Sequence, residues 1–209
     1  IADAIIILLA YNFYHEMGVP VSVQINSIGC AECRAKYVEE LTQYFRSQRS
    51  HLCEFCKKRL QRNPMRLLDC KEEQCQPIKQ NAPQILDSLC DPCREHFMAV
   101  LEYLDELGLP YFLNHSLVRG LDYYTRTVFE IYAAGEEGAS QAALGGGGRY
   151  DLLVSTLGGR PTPACGFAHG VERAANKIKE AGRVLPLEDK KDVFIAQLGE
   201  QARRKAVVL

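Results

Sequence analysis

The chain has 209 residues, 47% of them hydrophobic and 24% charged, which fits a packed globular protein and is too apolar for a disordered one. Its 25 Lys and Arg against 26 Asp and Glu leave a net charge of −1, excluding a general basic coat for nucleic acid but not a local basic patch. At about 150 residues per domain, the length holds one to two domains.

Residues 1–17 read as a helix, with Ala2, Ile5, Ile6, Leu9 and Phe13 on one broad face and Gly18 as its stop. The apolar run Ile5–Tyr11 is far short of a membrane span. No basic n-region or small-residue cleavage site marks a signal peptide, so a cytoplasmic chain with no membrane partner is expected. Beginning at Ile1 without Met, and stopping at Leu209 inside a helical pattern, it reads as a piece of something longer. Val21, Val23 and Ile25 alternate with Ser22, Gln24 and Asn26, the pattern of a half-buried strand. From Gly29 charges and cysteines become dense and the apolar spacing turns helical. Tyr37, Val38, Leu41, Tyr44 and Phe45 make one helix face; Phe97, Val100, Leu101, Leu104 and Leu107 make another, closed by Gly108 and Pro110. Residues 29–110 thus read as a small helical unit set into a larger one.

Strands return at Tyr111–Leu113 and at Thr127–Tyr132, where Thr127, Phe129 and Ile131 share a side. Ala142–Gly145 runs into four glycines. Tyr150, Leu153, Val154 and Leu157 make a helix ended by Gly158 and Gly159, and a small-residue strand over Ala164–Gly170 leads into a helix from Val171 to Ala181. Residues 183–191 read as a linker, and 192–209 as the first strand and helix of a further unit. The domain division is therefore 1–28, 29–110, 111–182, linker and 192–209.

Three segments carry chemistry. In Leu117–Thr125, Arg119 precedes Gly120 and stands four residues ahead of the adjacent Tyr123 and Tyr124. A guanidinium holds a phosphate or carboxylate through two parallel hydrogen bonds, and a tyrosine offers a ring face and a hydroxyl. A turn with an exposed arginine and two half-buried tyrosines is the plainer reading of the spacing alone. In Gly145–Asp151, four glycines leave the backbone bare, so that a flat ligand can lie against it; a flexible loop is the plain alternative. Neither a P-loop nor a dinucleotide fingerprint is present. In Ala164–Arg173, a small-residue strand enters a helix whose first turn carries Glu172 and Arg173, an arginine placed to reach a phosphate chain lying over the sheet or simply a solvated pair with Glu172. His169 reads as a packed or solvent-facing histidine.

Taken in this order, the three segments closely resemble the histidine-specific signature and the third class II motif of the histidyl-tRNA synthetase family. Asn26-Ser27-Ile28-Gly29 and the stretch from Arg62 to Cys70 also resemble the helical insertion of its bacterial members. The resemblance implies an α+β fold: a class II antiparallel sheet with flanking helices, present in part and interrupted by a small, cysteine-rich helical insertion. It implies a histidine–tRNA ligase that makes histidyl-adenylate from histidine and ATP with Mg²⁺, passes the histidyl group to tRNA(His), and works as a homodimer. Arg119 matches the catalytic arginine at the α-phosphate and the histidine carboxylate. Tyr123 and Tyr124 match the wall of the histidine pocket, Gly146 and Gly147 the glycine strand under ATP, and Arg173 the arginine at the γ-phosphate. Residues from Asp192 onward resemble the start of the anticodon-binding domain. The first two class II motifs are not in this sequence, so these residues alone are expected to be inactive. Leu152 and Ala174 depart from the expected glycine and larger apolar residue. The alternative is a non-catalytic relative, a regulator of histidine biosynthesis or a tRNA sensor, which would be expected to lack Arg119 or the tyrosine pair.

Eight of the nine cysteines fall into four close pairs, Cys30/Cys33, Cys53/Cys56, Cys70/Cys75 and Cys90/Cys93, with Cys165 alone. Zn²⁺ takes four thiolates, and such spacings let one turn supply two. Eight thiols fit two structural sites, in an order of pairing that the spacing leaves open; reduced, partly buried thiols are the alternative. The family does not need zinc here, so it would be a subgroup's staple for a small domain with a thin core. Lys57, Lys58, Arg59, Arg62 and Arg66 come without an acid among them, and Lys58, Arg62 and Arg66 share a helical face. That face suits tRNA phosphates or plain solvation.

Overall fold

The computed structural model describes residues 1–118, 123–136, 143–182, 196 and 198–202. Arg119 and Gly120, the linker at 183–191 and most of 192–209 lie outside the described residues. The described elements are α1 (Ala2–Glu16), β1 (Val21–Ser27), α2 (Ala31–Ser47), α3 (Glu54–Arg62), α4 (Gln76–Gln80), α5 (Asp91–Glu106), β2 (Tyr111–Leu113), β3 (Thr125–Ala133), β4 (Ala143–Arg149), α6 (Leu153–Thr156), β5 (Cys165–His169) and α7 (Val171–Glu180), with short 3₁₀ turns between α2 and α5. No described helix is long and apolar enough to cross a membrane.

The sheet runs β2-β1-β3-β4-β5. The β1–β3, β3–β4 and β4–β5 pairs are antiparallel, while β2 pairs with β1 in parallel. The α+β architecture is as expected, with this one parallel edge as an addition. One face carries Val23, Ile25, Phe129 and Ile131, which pack with Ile7 and Tyr14 of α1, Phe97 and Leu104 of α5, and Ile178 of α7. A helix that returns from the insertion, α5, therefore shares its apolar side with the sheet. A second core joins Tyr37, Leu41 and Phe45 of α2 to Leu117, Tyr124 and Val128. The insertion thus reaches the other face of the sheet directly.

Three local expectations change. α1 is turned about its axis: Asp3, Ala4, Ile7, Ala10 and Tyr14 are buried, whereas Ile5 and Leu9 are 48% and 55% exposed. Apolar residues sit nearly all round this helix, so periodicity cannot choose a face. Two other things choose it: small Ala4 and Ala10, which allow close approach, and the pairing of Asp3 described below. β1 is buried on both faces, because Asn114 donates to Gln24 Oε1 at 2.5 Å and Asn26 donates to the Leu117 carbonyl at 3.1 Å. α6 is a single short turn, Leu153–Thr156. Tyr150 stands before it and Leu157 is exposed.

Candidate functional site

The register of the sheet sets out a polar floor on the face opposite α1. One row across it reads Gln24, Glu130, Gly146 and Ala168; the next reads Asn26, Val128, Gly148 and Gly166. Side chains of cross-strand partners leave the sheet on the same side. On the second row the bare glycines are taken by the protein's own rings. A Cβ on Gly148 would meet the Thr127 carbonyl oxygen first, at 2.4 Å, and then Tyr124 Cδ1 at 3.1 Å, and one on Gly166 would lie 2.6 Å from the Tyr150 hydroxyl. Tyr123, Tyr124 and Tyr150 form one aromatic cluster, with ring centroids 4.6, 5.9 and 6.2 Å apart. The first row stays low. Ala168 is exposed and Glu130 half-buried, and Tyr132 donates to Glu130 Oε2 at 2.5 Å. An aromatic wall beside a carboxylate and a bare strand suits a flat ligand that carries a hydrogen-bond donor.

Gly147 belongs to the other side. It lies between Phe129 and Phe167 in register, and a Cβ there would come 2.7 Å from Phe167 Cβ and 2.1 Å from the Gly166 carbonyl oxygen. Its bareness therefore serves the close approach of β5, and a ligand on the polar floor meets Gly146 first. Arg173, on the exposed first turn of α7, donates to the Ala143 carbonyl at 2.7 Å. His169 is packed: its ring stacks on Phe13 at 4.8 Å and its Nδ1 lies 3.0 Å from the Tyr14 hydroxyl. Burial lowers its pKa and raises that of Tyr14 to about 12.

A buried ion network holds this floor in place. Arg149 grips Asp3 through Nη2 at 2.7 Å and Nε at 3.2 Å, and reaches Asp151 through Nη1 at 2.9 Å. Thr127 donates to Asp3 at 2.8 Å, and His96 Nε2 stands 3.2 Å away. Burial alone would raise the Asp3 pKa, but the donors His96, Arg149 and Thr127 and the Arg149 charge outweigh it and hold the carboxyl well below the usual carboxylate range. The Asp151 amide donates to Thr125 Oγ1 at 3.1 Å, and Asp151 Oδ1 accepts from the Ala164 amide at 3.2 Å. Tyr150 is thus fixed between two anchored neighbours. Residue spacing assigns no role to Arg149 or Asp151; the signal in the sequence is an Arg-Tyr-Asp triplet directly after a glycine strand.

The basic residues divide. Lys58 and Arg62 are exposed on α3, Lys57 pairs with Glu54 at 2.7 Å, and Arg66 lies beyond the helix in the turn Pro64–Leu67. Arg59 Nη1 donates to the Arg66 carbonyl at 3.4 Å, which ties that turn back to α3.

The paired cysteines gather into two groups of four: Cys30, Cys33, Cys90 and Cys93, and Cys53, Cys56, Cys70 and Cys75. Within each, all Sγ atoms lie within 4.8 Å of one another, and all nine cysteines are free thiols. Burial and neighbouring thiols push Cys93 up to about 12 and Cys56 higher still. Burial opposes ionisation at Cys53 too, but the Cys56 amide and side chain prevail there and lower it. A bound dication makes such thiols thiolates.

A family model described as Histidyl-tRNA synthetase matches residues 30–174. The chain is 49% identical over 205 residues to a histidine–tRNA ligase of Halothermothrix orenii, covering 98% of this chain and 48% of that protein. It is 47% identical over 207 residues to one of Caldicellulosiruptor saccharolyticus, covering 99% and 49%. The crystal structure of apo S. aureus histidyl-tRNA synthetase superposes with a TM-score of 0.69 at 35% identity, over 99% of this chain and 50% of that one. The chain spans about half the length of the curated relatives it matches.

Proposed function

The chain belongs to the histidyl-tRNA synthetase family, and from that membership we propose that it is the part of a histidine–tRNA ligase that forms one side of the histidine and ATP site. In this reaction the histidine carboxylate attacks the α-phosphorus of ATP, supplied with Mg²⁺, and pyrophosphate leaves. The 3′-terminal hydroxyl of tRNA(His) then attacks the adenylate carbonyl and AMP leaves. Arg119 is the residue proposed to steady the α-phosphate and the carboxylate; a positioned charge of this kind stabilises what develops in the transition state. Tyr123 and Tyr124 are proposed as the wall of the histidine pocket, Gly146 with the Gly147 backbone as the floor under ATP, and Arg173 as the γ-phosphate contact. Exposed Lys58 and Arg62, with Arg66 on the adjoining turn, are proposed to meet tRNA phosphates. Zinc is proposed as a structural ion of the thiol groups, with no part in the reaction. The complete ligase is proposed to be a cytoplasmic homodimer.

The observation that carries this reading is the tyrosine cluster seated over the glycine strand beside Glu130. It gathers residues from two segments that the sequence separates, on the face of the sheet opposite α1. The test is histidine-dependent exchange of pyrophosphate into ATP by the complete protein. Robust exchange is expected. No exchange, together with retained histidine binding, would overturn the ligase reading in favour of a regulator.

A further inference from the structure

We propose that the thiols form two tetrathiolate zinc sites with nested connectivity: an outer site of Cys30, Cys33, Cys90 and Cys93 that clamps the two ends of the helical insertion, and an inner site of Cys53, Cys56, Cys70 and Cys75 within it. This rests on the reading that the thiols hold zinc. It adds which thiols share an ion and what each ion holds together.

Geometry supports the grouping. With Zn–S at about 2.3 Å, a tetrahedron has S···S edges of about 3.8 Å. The Sγ atoms of Cys30 and Cys33 are 3.5 Å apart, those of Cys30 and Cys90 4.0 Å, and those of Cys53 and Cys70 3.8 Å. A disulfide needs about 2.05 Å. These three separations match the edge of a metal tetrahedron, and the remaining ones within each set stay within 4.8 Å. Binding releases the thiol protons to solvent and leaves Zn(Cys)₄ with a formal charge of −2.

The surrounding backbone is arranged for that charge. Cys30, Cys53 and Cys90 are the N-caps of α2, α3 and α5, and a helix N-terminus favours an anion. Amides also donate to sulfur. The Cys90 amide donates to Cys33 Sγ at 3.2 Å, and the Cys53 amide to Cys75 Sγ at 3.3 Å. Both of these bonds cross from one pair to the other within the same set, so the outer shell of donors follows the same nested pairing as the sulfurs. Gly29 shows how tightly the outer turn closes: a Cβ there would meet Cys33 Cβ at 2.5 Å.

The two sites hold different things. Cys30 and Cys90 are 60 residues apart in sequence, and they bring the first turn of α2 against the first turn of α5. Just beside them, Ile28 N–H donates to the Arg126 carbonyl at 2.7 Å and Arg126 N–H to the Gly29 carbonyl at 2.9 Å. The outer ion therefore fixes where the insertion leaves and rejoins the sheet, next to the start of β3 and two residues from Tyr124. The inner set closes only the 17-residue step from Cys53 to Cys70 and its neighbours, holding α3 and α4 together. A cleft of about 400 Å³ lined by Cys30, Cys90, Arg126 and Asp151 opens onto the outer set, so a chelator reaches it first.

Metal analysis of the full chain, purified without chelator, should give two zinc ions per chain. No metal would overturn the zinc reading itself, and iron in its place would overturn the choice of ion. Pairing is read separately from paired substitutions. Cys33→Ser with Cys93→Ser should leave one zinc, Cys56→Ser with Cys70→Ser should leave one, and Cys33→Ser with Cys56→Ser should leave none. Sites built from consecutive pairs would give none, none and one, overturning the nested assignment. A measurement on the unaltered chain guards against misfolded variants. Stepwise removal of zinc with EDTA, alkylation with N-ethylmaleimide and peptide mapping should label the four outer thiols as one group, ahead of the four inner thiols. Labelling of Cys30 and Cys33 together with Cys53 and Cys56 would overturn the nested pairing, and labelling of all eight in one step would overturn the proposal of two separate ions.

Discussion

Replacing Asp3 by asparagine removes a charge on which three side chains converge. Asp3 is 1% exposed and accepts from Arg149 at 2.7 and 3.2 Å and from Thr127 at 2.8 Å, with His96 Nε2 at 3.2 Å. Breaking a buried pair by removing one partner costs about 3–5 kcal/mol, because the other charge stays behind. Asp151 remains 2.9 Å from Arg149 and offsets part of the loss, which places the expected cost near the lower end, about 3 kcal/mol. In a chain of this size each kcal/mol moves the melting midpoint by about 2–4 °C, so Asp3→Asn should lower it by about 6–12 °C. Circular dichroism melting of both chains at pH 7 measures this. The pH dependence checks the cause. A carboxyl whose folded-state pKa is depressed contributes stability that is fully present above its unfolded value and is lost as pH falls through the folded value. The gap between wild type and Asp3→Asn should hold from pH 7 to about 5 and narrow below about 4. A midpoint change under about 2 °C, or a gap that widens in acid, would refute the argument.

Gly147→Ala should destabilise the chain by about 1–3 kcal/mol through overpacking between β4 and β5, read by urea unfolding; an unchanged midpoint would show that β5 can shift freely. In the complete ligase, Arg119→Ala should reduce histidine-dependent pyrophosphate exchange by about 10²–10³, and near-normal exchange would remove its assigned role. Charge reversal at Lys58 and Arg62 should raise KM for tRNA, flatten its salt dependence by about one counterion per lost contact and leave KM for histidine unaltered; an unaltered KM for tRNA would assign these residues to solvent. Residues 1–209 assayed alone should give no measurable exchange, because in-line positioning of both substrates accounts for about 7–11 kcal/mol of such barriers; exchange by these residues alone would show that the catalytic groups are misplaced.

Where local spacing decides structure, the sequence was legible. Thr127, Phe129 and Ile131 fall on one buried side of β3, and Tyr37, Leu41 and Phe45 on one buried side of α2, because strand and helix periods are each satisfied by a single face. α1 failed the same method. With Ile, Leu and Ala at almost every position its period carries no direction, and a charge partner 146 residues away decides the face. The two faces of β1 show the same limit from the polar side. Gln24 and Asn26 look solvent-bound by alternation, yet Asn114 and the Leu117 carbonyl cover them from far along the chain. The cysteines were legible as pairs, since a turn of helix sets that spacing, and illegible as sets, since only the fold brings Cys90 to Cys30.

The glycine run illustrates how one composition serves two purposes at alternating positions. Gly148 leaves room for the Thr127 carbonyl and Tyr124 and, across the sheet, Gly166 for Tyr150, while Gly145 and Gly147 let β5 approach from the helix side, where a Cβ would meet His169 Nδ1 at 2.8 Å or the Gly166 carbonyl oxygen at 2.1 Å. A strand with side chains at these positions would keep β5 away, displace the tyrosines, or both. Gly146 stands apart, because its register neighbours are the half-buried Glu130 and the exposed Ala168. The tyrosine wall and the bare floor are therefore consequences of the same backbone. The Asp3–Arg149–Asp151 network fixes the end of that backbone, while Asp151 locks the turn after Tyr150. A change at Asp3, on a helix behind the sheet, accordingly acts on the aromatic wall in front of it through β4.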